Sequence, residues 1–180
     1  MSQRDSGYAR KTLDAYQTPA WVTEALLPHL PACRVIWEPA AGSGKMVRAL
    51  EAAGYRVHAT DIEGGNDFLA GPIERFAGAI VTNPLYARAV DFIERALAAA
   101  DVVAMLLRTD FDHAKSRQHL FQHSACAKKL VLTTRIKWFE DSKGQPSFNH
   151  AWFVWDRNHA GLPVLAYGPQ CAHHSKSMKV

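Results

Sequence analysis

The sequence predicts an α/β fold: a three-layer sandwich in which a mostly parallel, seven-stranded sheet is covered by helices on both faces, with an antiparallel hairpin at the C-terminal edge. Three observations carry this. Short β-rich runs alternate with amphipathic segments through the first two thirds of the chain, the pattern of strand–helix–strand units. The runs 78–82 (GAIVT) and 102–107 (VVAMLL) are apolar without alternation, as strands buried on both faces are. In the last third, β-rich pieces follow one another with no helix between them, which suits strands that turn back antiparallel.

The elements follow in order. Residues 1–15 are polar, with Arg4, Arg10 and Lys11, and read as a mobile arm. Thr18-Pro19 predicts a helix start, with Thr as N-cap and Pro at the first helical position. Trp21, Val22, Ala25 and Leu26 share a face of that helix, which must stop before Pro28 or Pro31. Strand 34–38 (RVIWE) ends at a glycine turn, and a helix over about 45–53 carries Met46, Val47, Leu50 and Ala53 at helical spacing, closed by Gly54. Residues 55–61 (YRVHATD) form the next strand. A turn-rich stretch precedes strand 78–82, which is followed by an amphipathic helix at 90–100 and strand 102–107. A polar helix is expected at about 113–124. Pieces 129–133, 135–139 and 151–156 complete seven strands, and residues 171–180 read as a basic tail. Residues 16–170 thus make one domain.

Bulk properties narrow the function classes. The 180 residues fit one core. No apolar run approaches the roughly 20 residues that span a bilayer, and no secretory signal opens the chain. Cys33, Cys126 and Cys171 are odd in number and lack close spacing. They read as reduced thiols, so the expected location is cytoplasmic, without membrane association. A net charge of +4 and a pI near 9.1 permit nucleic-acid binding without requiring it.

Two constellations carry chemistry. The first is a strand, then Glu38-Pro39-Ala40-Ala41-Gly42-Ser43-Gly44, then a helix. Gly42 and Gly44 let the backbone turn sharply and let a ligand lie against it. The third glycine of a dinucleotide fingerprint is missing, and Met46 stands where a P-loop needs Ser or Thr. The loop therefore suits a nucleoside without phosphates. Asp61, 19 residues after Gly42, ends the next strand, where a carboxylate can accept both ribose hydroxyls. The plain alternative is an ordinary glycine turn and a solvated strand end.

The second constellation is Asn83-Pro84-Leu85-Tyr86, directly after a buried strand. Ligands of parallel sheets sit at the carboxyl ends of strands, so Asn83 would share a crevice with Gly42 and Asp61. The Asn83 side-chain oxygen and the Pro84 carbonyl can accept both hydrogens of an exocyclic amine and aim its lone pair. Tyr86 offers a stacking face. Asn-Pro is also a common turn dipeptide.

Together these residues resemble the amino-methyltransferases of the class I S-adenosylmethionine superfamily, above all the N6-adenine group. Glu38–Gly44 matches the family's E/D-P-x-x-G-x-G motif, and Asp61 matches its ribose-binding acid. Gly65-Asn66-Asp67-Phe68 matches a segment that sets a carboxylate beside the cofactor adenine. Asn83–Tyr86 is similar to the catalytic N/D/S-P-P-Y/F/W motif, departing from it at Leu85. Tyr16-Gln17-Thr18-Pro19 resembles the Y-x-T-P segment near the methionine end. The resemblance covers about residues 16–110.

It implies a Rossmann-like fold, S-adenosylmethionine as cofactor and no metal. The implied cofactor-binding residues are Tyr16, Thr18, Glu38, Pro39, Ala40, Gly42, Gly44, Asp61, Ile62, Asp67, Phe68 and Asn83. The implied catalytic set is Asn83, Pro84 and Tyr86. The implied reaction is methyl transfer to an exocyclic amine, first of all adenine N6 in DNA, with a target in RNA as the next choice. Glutamine N5 of a protein is a rival acceptor. A non-catalytic binding module, with Leu85 marking lost turnover, is a rival of another class. Oligomeric state is not legible.

Other residues invite weaker readings. His119 and His123 have metal-ligand spacing but no third partner, so a solvated helix face is favoured. Arg108, Thr109, Asp110 and His113 follow strand 102–107, where Arg108 either meets a phosphate or base edge or pairs with Asp110. Trp138, Trp152 and Trp155 read mostly as core, with one available to line a target pocket. Residues 62–77 and 140–149 are the expected variable loops.

Overall fold

The computed structural model describes residues 16–123, 125–138 and 148–169. The expected arm at 1–15, the tail at 171–180 with Cys171, and most of the 140–149 loop lie outside the described residues. The described strands are β1 (Val35–Glu38), β2 (Arg56–Ala59), β3 (Ala79–Thr82), β4 (Val102–Arg108), β5 (Cys126–Leu132), β6 (His150–Asp156) and β7 (Val164–Gly168). They form one sheet in the order β2-β1-β3-β4-β6-β5-β7. β2, β1, β3 and β4 run parallel. β6 pairs antiparallel with both β4 and β5, and β7 is parallel to β5. β6 is therefore the strand that opposes the rest, and the sheet is mostly parallel with its antiparallel pairing in the C-terminal half, as the sequence predicts.

Three layers follow from side-chain alternation along the central strands. Along β4, Val103, Met105 and Leu107 face one side, while Ala104 and Leu106 face the other. β6 divides likewise, with Phe153 and Trp155 on one face and Trp152 and Val154 on the other. α1 (Ala20–Leu26) and α2 (Lys45–Ala52) bury Val22, Leu26, Met46 and Leu50 against the second face. α3 (Ala89–Ala99) buries Phe92, Ile93 and Ala96 against the first, joined by Leu120 of the single turn α4 (Gln118–Phe121). Trp152 and Trp155 are fully buried, and each gives its only polar group a partner: Trp152 Nε1 donates to the Val22 carbonyl and Trp155 Nε1 to that of Leu120, both at 2.9 Å. The indoles thereby bury a large apolar area without an unpaired N–H.

Several sequence expectations need correction. α1 begins one residue later than predicted: Pro19 is its N-cap and Thr18 makes no capping bond. In α2 the buried face is Met46, Ala49 and Leu50, while Val47 is half-buried and Ala53 exposed. The polar helix expected at 113–124 is a chain of short turns, Phe111–His113, Lys115–Arg117 and α4. Phe111 and Leu120 are both buried in the core on one face of the sheet, and anchoring each there holds the segment against that face instead of in one helix. Residues 135–138 are not a strand. The seventh strand is β7, which places the β5–β6 hairpin one strand inside the edge.

Candidate active site

The chain passes from β1 to β2 on one side and returns to β3 on the other. Such a reversal of strand order opens a crevice at the carboxyl ends of a parallel sheet. A cavity of about 430 Å³ lies there, bounded by the ends of β1 and β3, the loop into α2 and the segment after β2. That size is ordinary for a small-molecule site.

The loop is shaped by glycine. Gly42 (φ +49°) and Gly44 (φ +77°) both occupy the left-handed region, and Gly44 caps α2. The Gly42 N–H donates to Asp61 Oδ2 at 2.8 Å, so the loop and the end of β2 are tied together. Asp61 Oδ1 accepts from the Glu63 N–H at 2.9 Å. The carboxylate is thus oriented by two backbone donors, and each oxygen keeps a lone pair for a further hydroxyl. Gln17 lies over the loop: its Oε1 accepts from the Ser43 N–H at 3.0 Å and from the Ser43 hydroxyl at 2.6 Å.

Glu38 is the most perturbed group in the cavity wall. It is 1% exposed. Its Oε1 accepts from the Thr82 hydroxyl at 2.5 Å and from the Ala40 N–H at 3.1 Å, while the buried Oε2 has no partner. Burial pushes its carboxyl up to about 8, against the opposing pull of the Thr82 and Ala40 bonds. The Thr82 contact joins the carboxyl ends of β1 and β3.

Asn83 leaves β3 with its amide fixed. Nδ2 donates to the Tyr16 carbonyl at 3.0 Å, so the donor end is engaged and Oδ1 is the end left as an acceptor. Leu85 has φ −55°, inside the range a proline ring imposes. The turn therefore keeps the backbone shape that a second proline would give it. Tyr86 is 38% exposed and stands edge-on to Phe111 at 6.1 Å.

Of the residues singled out by sequence, Tyr16, Thr18, Glu38, Pro39, Ala40, Gly42, Asp61, Ile62, Asp67, Phe68 and Asn83 line the cavity. Ile62 is 64% exposed and Phe68 is buried edge-to-face on Trp37 at 5.1 Å. Asp67 Oδ1 accepts from the Leu69 N–H at 2.9 Å. Gly44, Pro84 and Tyr86 fall outside the lining. Sequence reasoning missed Gln17, Met46, Leu85, Arg88 and Phe92 in the wall. It also missed Arg95 on α3, whose Nη2 donates to the carbonyls of Ala70, Gly71 and Pro72 and pins the loop that carries Asp67. A run of three carbonyls around one arginine leaves no mark in the sequence.

The weaker candidates have structural partners. Arg108 forms a two-pronged pair with Asp110 at 3.0 and 2.6 Å, which favours the internal pairing. His119 Nε2 lies 3.0 Å from Glu94, and His123 Nδ1 accepts from the Ala125 N–H. No cluster of three metal-ligating side chains occurs among the described residues. Trp138 is half-buried, packed on Tyr16 and His150. No helix among the described residues is long and apolar enough to cross a membrane.

A scan of protein-family models returned no match, and neither did a search of curated proteins. Solved structures do match. A Pyrococcus horikoshii protein provisionally described as an RNA methyltransferase superposes with a TM-score of 0.51 at 13% identity, over 85% of this chain and 92% of that one. A Listeria monocytogenes protein provisionally described as a class I S-adenosylmethionine-dependent methyltransferase gives 0.52 at 12%, over 82% and 62%. The type IIG restriction endonuclease BpuSI gives 0.57 at 15%, over 79% of this chain and 24% of that one. At these identities the likeness is one of fold, and the fold is the Rossmann-like one of these methyltransferases.

Proposed function

We propose that the protein is an S-adenosylmethionine-dependent methyltransferase acting on an exocyclic amine, with adenine N6 in DNA as the first target and RNA as the next. The observation that carries the acceptor half is Asn83, held at the end of β3 with its donor end on Tyr16 and its acceptor end left free at the cavity wall. The kinship of fold supports the donor half.

The cavity suits such a cofactor on its own terms. Glu38 lines the wall, and its carboxyl holds the Ala40 N–H and the Thr82 hydroxyl, which fixes the loop and the end of β3 on either side of the cavity. Asp61 is oriented toward paired hydroxyls by two backbone donors. Ile62 and Phe68 supply apolar surface for a base, and Asp67 a carboxylate beside it. Gly42 allows close approach of the backbone. When bound, the cofactor supplies an electrophilic methyl group on a sulfonium.

The chain's own residues would do the rest. Asn83 Oδ1 and the Pro84 carbonyl accept the two hydrogens of the substrate amine, which draws its lone pair out of conjugation and aims it into the cavity. The turn is stiffened by Pro84 and by the φ of Leu85, so little reorganisation is needed. Tyr86, 38% exposed with the Arg108 guanidinium over its ring at 5.8 Å, offers its remaining surface to a base that has left its stack, an extrusion costing a few kcal/mol in a duplex. Positioning supplies most of the acceleration.

Replacing Asn83 tests this. Asn83→Ala is expected to lower methyl transfer by about 10²–10³ at saturating cofactor. Transfer near the parent rate would remove Asn83 from its assigned role.

A further inference from the structure

Among the described residues, one part-buried arginine has only uncharged neighbours, the Phe111 ring and the Tyr86 hydroxyl. Arg95 holds three carbonyls and Arg108 holds Asp110. Arg117 has its guanidinium over the Phe111 ring, 4.0 Å from the centroid, and its buried Nε has no hydrogen-bond partner. Among the described residues it makes no ion pair. Lys115, exposed and two residues earlier in the same turn, makes none either. The carboxylates at hand are already engaged: Asp110 by Arg108 and Asp112 by Lys129, each at 2.6 Å. Two uncompensated cations therefore remain in this segment.

Their place gives them meaning. Residues 111–117 follow β4, whose carboxyl end adjoins that of β3 and so the Asn83–Tyr86 turn. Phe111 is the ring on which Arg117 stacks, and Tyr86 stands edge-on to that same ring at 6.1 Å. An arginine held flat by an aromatic ring has its fork pre-set for a planar or tetrahedral anion, at a low entropy cost per hydrogen bond. A guanidinium that faces the hydroxyl of the proposed base-stacking tyrosine and has no carboxylate partner fits an anion that is covalently close to the base.

We infer that Arg117, with Lys115 beside it, holds a backbone phosphate next to the target nucleotide, so that the substrate is a nucleic-acid strand and not a free nucleoside or an uncharged amide side chain. This rests on the amine-transfer reading above and names its substrate class.

The test is binding of a short, fluorescein-labelled single-stranded DNA with one adenine to the full chain, across roughly 50–300 mM KCl. Each phosphate neutralised on a single strand contributes about 0.7 to the slope of log affinity against log salt. Arg117→Gln is expected to lower that slope by about 0.7 while leaving S-adenosylmethionine affinity unchanged, which also reports an intact fold. Arg117→Lys should restore the slope. With the parent protein, replacing the phosphate next to the adenine by a methylphosphonate should produce the same loss, independently of any variant. An unchanged slope in Arg117→Gln, or a parent protein that does not bind the strand, overturns the inference. A strand bound with the full slope yet never methylated upholds the phosphate contact and defeats the amine-transfer reading instead.

Discussion

Glu38→Gln should remove one source of pH-dependent instability, so that parent and variant exchange their order of stability across the pH range. The Glu38 carboxyl is buried and pushed up from an ordinary 4.5 to about 8 in the folded chain. Below 4.5 both folded and unfolded forms carry the proton, and burial costs no charge. As pH rises from 4.5 towards 8, the unfolded chain ionises while the folded one holds its proton. The parent protein then loses stability at about 1.4 kcal/mol per pH unit. Above 8 the loss levels off at about 5 kcal/mol. Glutamine keeps an oxygen for the Thr82 and Ala40 donors but puts an unpartnered N–H₂ where Oε2 was. That substitution costs about 1–3 kcal/mol at every pH. The variant should be the less stable protein at pH 4.5 and the more stable, by about 2–4 kcal/mol, at pH 9. Urea unfolding of both chains without ligand, at steps across this range, reads the difference directly. Curves that stay parallel, with no crossing, would refute the reasoning.

Two further outcomes are expected. Asp61→Ala removes the oriented acceptor of the ribose hydroxyls, each charge-assisted bond being worth about 1.5–3 kcal/mol. S-adenosylmethionine affinity by calorimetry should fall at least about tenfold, and an unchanged dissociation constant counts against the assignment. Gly78→Ala acts on the frame, because a Cβ there would collide with the Val35 carbonyl oxygen, backbone that cannot step aside. A cost of about 1–3 kcal/mol lowers the melting temperature by about 3–10 °C, and a variant melting with the parent would show that β1 and β3 can part at that point.

Much of this was readable from residue order. β3 and β4 announced themselves because both faces are buried and the runs are apolar throughout. The turn 42–44 was readable because only glycine takes such φ values cheaply. What escaped depends on distant partners. The Glu38 carboxyl is raised by its burial under the folded chain, its bond to Thr82 spans 44 residues, and the lid of Gln17 on Ser43 spans 26. The tight fit at Gly78 arises from a neighbouring strand. β7 was missed because its Val164, Leu165 and Tyr167 side chains are exposed at the sheet edge, so no burial pattern marks it. The segment after β4 misled for the opposite reason: its polar sequence suits a helix, and two buried anchors forbid one.

The central claim is that the cavity and Asn83 serve one reaction, methyl transfer to adenine N6 in a nucleic-acid strand. Its most direct test is to incubate the protein and S-adenosylmethionine with unmodified DNA and RNA, digest to nucleosides and identify the products by chromatography against isomer standards with fragmentation mass spectrometry. The account predicts N6-methyldeoxyadenosine from DNA foremost, and N6-methyladenosine from RNA next, each disappearing with Asn83→Ala. A methyl group found on carbon, on a hydroxyl or on no nucleoside at all would contradict it.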